Sequence, residues 1–103
     1  QQVIAQNPND YDANVNVGNA YLNMAEEMRK SLLEKEKNKQ NVNEDEVAKL
    51  KGFYKDAIPF MEKALSIKSD NSTLWYNLGV AYINAGDAAK GKECFDKAEA
   101  LRK

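Results

Sequence analysis

The chain has no histidine, which removes both the usual general base at neutral pH and the commonest metal ligand. Its one cysteine, Cys94, forms no internal disulfide, gives no sign of an oxidising compartment, and lacks an imidazole to activate it. There is no Cys and His cluster with zinc spacing. No glycine-rich loop opens a helix as a phosphate cradle does. The acidic run NEDE at Asn43 to Glu46 lacks the alternating oxygens and turn glycine of a calcium loop. At a helix start it reads instead as capping and charge compensation of the helix dipole. Fifteen basic residues stand against sixteen acidic ones, so the chain lacks the one-sided basic field that nucleic acid or an anionic membrane surface selects. No apolar run approaches the roughly 18 residues of a membrane span. These absences argue against an enzyme, a metal or cofactor, nucleic acid and membrane insertion. The chain opens on Gln1 without a methionine, the mark of an excised or processed piece, so the compartment stays open. At 103 residues it is one domain with a modest core, near the size where neighbours help stability.

What the chain does have is a repeated phrase. Asn16 to Asn23 read NVGNAYLN and Asn77 to Asn84 read NLGVAYIN, 61 residues apart. Around the second copy, Trp75, Leu78 or Gly79, and Tyr82 fall on one helical stripe. Gly86 and Asp87 punctuate, and a second stripe runs through Phe95, Ala98 and Leu101. The pattern predicts helix, tight turn, helix. Gly79 inside the first helix costs about 1 kcal/mol against Ala, a cost offset if it admits a second helix at close range.

These residues resemble the tetratricopeptide repeat family, whose signature is Trp, two residues, Leu-Gly, two residues, Tyr, then Ala, Phe and Ala on the second helix, with a Pro near the end of about 34 residues. Trp75, Leu78, Gly79, Tyr82, Phe95 and Ala98 occupy those slots, while Gly91 stands for the first Ala and Lys103 for the Pro. In the first copy Val17, Gly18 and Tyr21 fill the first-helix slots, with Asn14 in place of Trp. The second-helix slots wait until Ala57, Met61 and Ala64. Subtracting one repeat of about 34 residues from the spacing leaves an insertion of about 27 between the two helices. Ahead of it, VIAQNP ending at Pro8 resembles the close of a preceding second helix. The expected architecture is therefore all-α, antiparallel helical hairpins stacked as a short solenoid. Residues 1–8 would be the end of a preceding helix, 9–71 an interrupted repeat, and 72–103 a complete one.

Met28 and Leu32 continue the first helix at four-residue steps, and Val47, Leu50 and Tyr54 lead into Ala57 or Ile58 at helical spacing. Between them NKQNVN has no period, and Asn43 with Glu46 three residues on reads as a capping box. Two lengthened helices are expected, forming an arm over about 26–53 that projects about 15 to 18 Å, in preference to a solvated charged insert. Pro59 predicts a kink near Lys55. Met24, Met28 and Met61 are expected to fill core gaps, and Cys94 to be a small buried side chain.

The resemblance implies a concave groove lined by the first helices. Its lining would be Val15, Asn16, Asn19, Leu22 and Asn23 in the first repeat and Tyr76, Asn77, Val80, Ile83 and Asn84 in the second. Carboxamides both donate and accept, which suits the backbone of an extended peptide, and Tyr76 offers an aromatic anchor. The same asparagines could equally be solvated positions or bridges between stacked helices. Some relatives clamp a carboxyl terminus with Lys and Asn. Asn19 and Asn77 fall in two Asn slots, but Val15 replaces the Lys and a third repeat is lacking, which tells against a free carboxylate. Two functions stay in view: a non-catalytic scaffold binding a protein or peptide segment, and a self-assembling module that forms a homo-oligomer through uncapped ends or the arm.

Overall fold

The computed structural model describes residues 10–102; the expected helix end at VIAQNP lies outside them. Four helices follow one another: α1 (Tyr11–Lys37), α2 (Glu44–Ile67), α3 (Ser72–Ala85) and α4 (Ala88–Arg102). There is no strand among the described residues.

Each helix starts where the local sequence supplies a cap. Asp10 accepts from the Ala13 amide at 2.9 Å and Asn71 from the Leu74 amide at 3.0 Å, each satisfying an amide that has no partner within its helix. At α2 the box is complete: Asn43 accepts from the Asp45 amide at 2.8 Å, and the Glu46 carboxylate takes the Asn43 amide at 3.2 Å. Gly86 ends α3 in the left-handed region at φ 101°, and the Asp87 amide returns to the Tyr82 carbonyl at 2.8 Å. Asp87 then accepts from the Lys90 amide at 3.1 Å and opens α4.

Cross-helix contacts fix an antiparallel register. Tyr21 stacks on Phe60 with centroids 5.9 Å apart, the Tyr54 hydroxyl donates to Glu26 at 3.2 Å, and Lys35 reaches both Glu46 oxygens at 3.1 and 2.8 Å. α1 therefore pairs with α2 along its whole length, and α3 pairs with α4 through Gly79 and Phe95. α2 lies between the two hairpins, and Ala57, Met61, Ala64 and Leu65 on it join Ala25, Leu74, Leu78, Ala81 and Cys94 in one core. The extents of 44 × 36 × 17 Å describe a thin slab, its shortest dimension under two helix diameters of about 10–12 Å.

The glycines confirm the close approach expected from the repeat. A β-carbon at Gly18 would meet Met61 Cγ at 2.8 Å and the Ala57 carbonyl at 3.7 Å; one at Gly79 would meet the Phe95 ring at 2.7 Å and the Gly91 carbonyl at 3.0 Å. Both crossings bring backbone against backbone.

α1 has 27 residues and α2 24, against 14 in α3, an excess of roughly 15 to 20 Å at 1.5 Å per residue. Leu32 is buried and Leu50 half-buried between them. α2 continues through Pro59 as a helix. Pro59 and Lys55 are both exposed, so water can solvate the Lys55 carbonyl that proline leaves without a donor. Two core expectations differ. Met24 and Leu101 are each 43 % exposed: Met24 lies about 100° around the helix from buried Ala25, and Leu101 lies in the last turn of α4, where residues 99–102 are all exposed. Met61 is fully buried and Met28 half-buried. Cys94 is buried as expected.

Candidate binding face on the first helices

Because α1 and α3 both run antiparallel to α2, they run parallel to each other. Their starting ends are tied: the Asn71 carboxamide donates to the Tyr11 hydroxyl at 3.0 Å, and the Lys68 ammonium sits over the Tyr11 ring at 5.5 Å.

On α1, Asn16 and Asn23 are exposed and Asn19 half-buried, three carboxamides on one stripe at spacings of three and four. Val15 and Leu22 beside them are half-buried against the core. On α3, Asn77 and Val80 are half-buried and Asn84 is exposed. Asn84 is occupied, donating to the Val80 carbonyl of its own helix at 2.8 Å. Asn16, Asn19, Asn23 and Asn77 make no side-chain hydrogen bond among the described residues.

Tyr76 and Ile83 take another direction. The Tyr76 ring packs on Phe95 with centroids 5.2 Å apart, and the Arg102 guanidinium lies 6.0 Å from its centroid. Ile83 lies against Gly91, filling the space a side chain there would need. Both remain nearly half exposed, at 46 % and 44 %, while their inner surfaces belong to the α3–α4 pair.

Asn14, in the slot held by Trp75 in the second repeat, is 3 % exposed. Its carboxamide donates to the Asp10 carbonyl at 2.7 Å, as the Trp75 indole donates to the Ser69 carbonyl at 2.9 Å. One polar task, tying the first turn to the preceding chain, is thus done by two unlike side chains.

A second concavity lies among α2, α3 and α4. It holds about 370 Å³ over Leu65, Trp75, Leu78 and Cys94, with Glu62 and Lys90 at its rim. The Tyr82 hydroxyl donates to Glu62 there, and the Lys90 ammonium lies 5.7 Å over its ring. Burial foremost, then the Glu62 carboxylate, pushes the Tyr82 hydroxyl well above its ordinary value. Burial also pushes the Cys94 thiol up, which disfavours the thiolate. Sequence reasoning missed this cleft because its lining comes from three helices and shares no stripe. Among the described residues no group of three or more acidic or thiol side chains could hold a metal, and no helix is long and apolar enough to cross a membrane.

Two antiparallel hairpins, each crossing at a buried glycine and stacked through a shared helix, define a helical-hairpin repeat protein. A profile of the Tetratricopeptide repeat family matches residues 48–102, more than half of the chain, and the chain belongs to that family. The match covers most of α2 and the whole α3–α4 hairpin. No curated protein matches the chain significantly. Repeats of this family generally mediate protein–protein interaction.

Proposed function

We propose that the chain is a non-catalytic scaffold that holds an extended segment of another protein along the first helices. The observation that carries this reading is the set of carboxamides on Asn16, Asn19, Asn23 and Asn77, none hydrogen-bonded within the described residues. An amide that both donates and accepts meets the needs of an extended peptide backbone, which presents both groups along each edge. The half-buried Val15, Leu22 and Val80 supply apolar seats between those amides. Tyr76 contributes by fixing α3 on α4 and is not an anchor in this reading.

A random peptide library selected on the intact chain tests it. The selected peptides are titrated against the parent and against Asn19→Ala with Asn77→Ala. Loss of 1 kcal/mol or more, about fivefold or greater in affinity, is the expected result. Peptides that bind both forms equally, with helical content intact, place the binding elsewhere.

A further inference from the structure

The two hairpins can be laid over each other residue by residue through their glycine crossings. Gly18 abuts Ala57 and Met61; Gly79 abuts Gly91 and Phe95. Ala57 thus corresponds to Gly91 and Met61 to Phe95, a shift of 34 residues between the second helices. Buried Ala64 and Ala98 obey it too.

The shift shows what α4 presents where α2 presents its stacking face. On α2 that face is the stripe Ile58, Glu62 and Leu65. Leu65 is buried and shares a cleft wall with Trp75 and Leu78 of α3, Glu62 accepts from Tyr82, and Ile58 packs on the core. The corresponding residues of α4 are Lys92, Asp96 and Glu99, all exposed. Lys92 and Asp96 pair with each other at 3.2 Å. The two aliphatic positions of that stripe have become a lysine and a glutamate.

The α3 half of the same edge is turned inward only in part, since Tyr76 and Ile83 stay 46 % and 44 % exposed. Tyr76 and Ile83 correspond to Val15 and Leu22, but they lie on Phe95 and in the gap left by Gly91. Gly91, where the first repeat has Ala57, is what lets Ile83 settle on α4.

We infer that the outer face of α4 is a cap: it closes the stack and refuses a further helix of the α3 kind, whether from another repeat or from a second copy of this chain. Seating such a helix would set Lys92 and Glu99 where α2 offers half-buried Ile58 and buried Leu65, and burying charge against apolar side chains is strongly unfavourable; Asp96 matches Glu62, which stays exposed in the stack. This goes beyond the proposed peptide-binding role and confines any self-assembly to other surfaces, such as the arm, where Leu33 and Val47 are about half exposed.

Light scattering behind a sizing column, over a hundredfold range of concentration, tests the cap on three forms of the chain: the parent, Lys92→Ile with Glu99→Leu, and Glu99→Arg. All substituted positions are exposed, so circular dichroism is expected to show unchanged helix. The parent should stay at monomer mass, and the Ile/Leu form, which restores the residues of α2, should rise toward twice that mass or more as concentration increases. A parent that associates but is unaffected by Glu99→Arg locates its interface elsewhere and leaves the cap standing. A parent whose association Glu99→Arg abolishes, or an Ile/Leu form that remains monomeric throughout, overturns the inference.

Discussion

Gly18 and Gly79 occupy the same place in two hairpins, yet a methyl group added at each meets different neighbours. At Gly18 the tight contact is Met61 Cγ at 2.8 Å, on an unbranched and adaptable side chain, with the nearest backbone atom 3.7 Å away. At Gly79 it is a ring at 2.7 Å and the Gly91 carbonyl at 3.0 Å, neither of which gives way without moving the helix. Alanine gains about 1 kcal/mol of helix propensity at either site, against an overpacking cost of about 1–3 kcal/mol. Gly79→Ala is therefore expected to lower the urea midpoint clearly and Gly18→Ala to leave it nearly unchanged; equal or reversed effects would contradict this account. Titration gives a second residue-level expectation. Burial raises Tyr54, Tyr82 and Cys94 above their ordinary 10.0, 10.0 and 9.0, so the folded state favours their neutral forms. Their contribution is complete below those unfolded values and is lost as pH climbs through them toward the folded ones. The melting temperature should fall from about pH 9 upward as the unfolded-state Cys and then Tyr ionise, and less steeply in Tyr82→Phe. A parallel fall in both would remove Tyr82 as a cause.

At the arm, the start of α2 is held by a reciprocal capping box and a cross-helix ion pair. Glu46 serves both, accepting from the Asn43 amide and from Lys35 across the helix pair, and Lys35 foremost, then that amide, holds its carboxyl below the ordinary 4.5. A depressed carboxyl stabilises the fold above its unfolded value, and that contribution is lost as pH falls through the folded one. Amides of residues 44–47 are thus expected to exchange faster, relative to the core, below about pH 4, and Glu46→Gln should produce the same fraying at neutral pH. Exchange there that ignores both changes would mean the capping box does not hold the arm closed. Asn43→Ala should act in the same place at a cost of about 1 kcal/mol, with α4 unaffected. This element was legible in the sequence because its signals are local: the capping box spans four residues and the stripe Leu50, Tyr54, Ala57 needs only helical spacing. Leu101 continues its stripe equally well in the sequence, yet is exposed, since periodicity marks a face without marking where along it the packing stops.

At the scale of the molecule, the repeated phrase and its glycines carried the hairpin architecture, because backbone proximity at a crossing demands a residue type that can be read directly. The candidate face was less legible. Tyr76 and Ile83 share its stripe, but Tyr76 packs on Phe95 and Ile83 on Gly91, relations visible only once α3 and α4 are side by side. The cap on α4 needed the same step. What the assembled slab adds is the position of α2, which packs on α1 with one side and on α3 with the other, so neither hairpin buries its core without it. In a stack where each unit contacts only its neighbours, stability is the sum of unit and interface terms, and a weak unit can open alone unless the interface is strong. Met61 bears directly on this: it is 0 % accessible, lies against Gly18, and belongs to the shared helix. Met61→Ala should cost about 2–5 kcal/mol, and amides of α4, which lies a hairpin away, should lose protection together with those of α1. If α3 and α4 instead keep their protection while α1 and α2 lose it, the two hairpins unfold as separate units and α2 does not bind them into one.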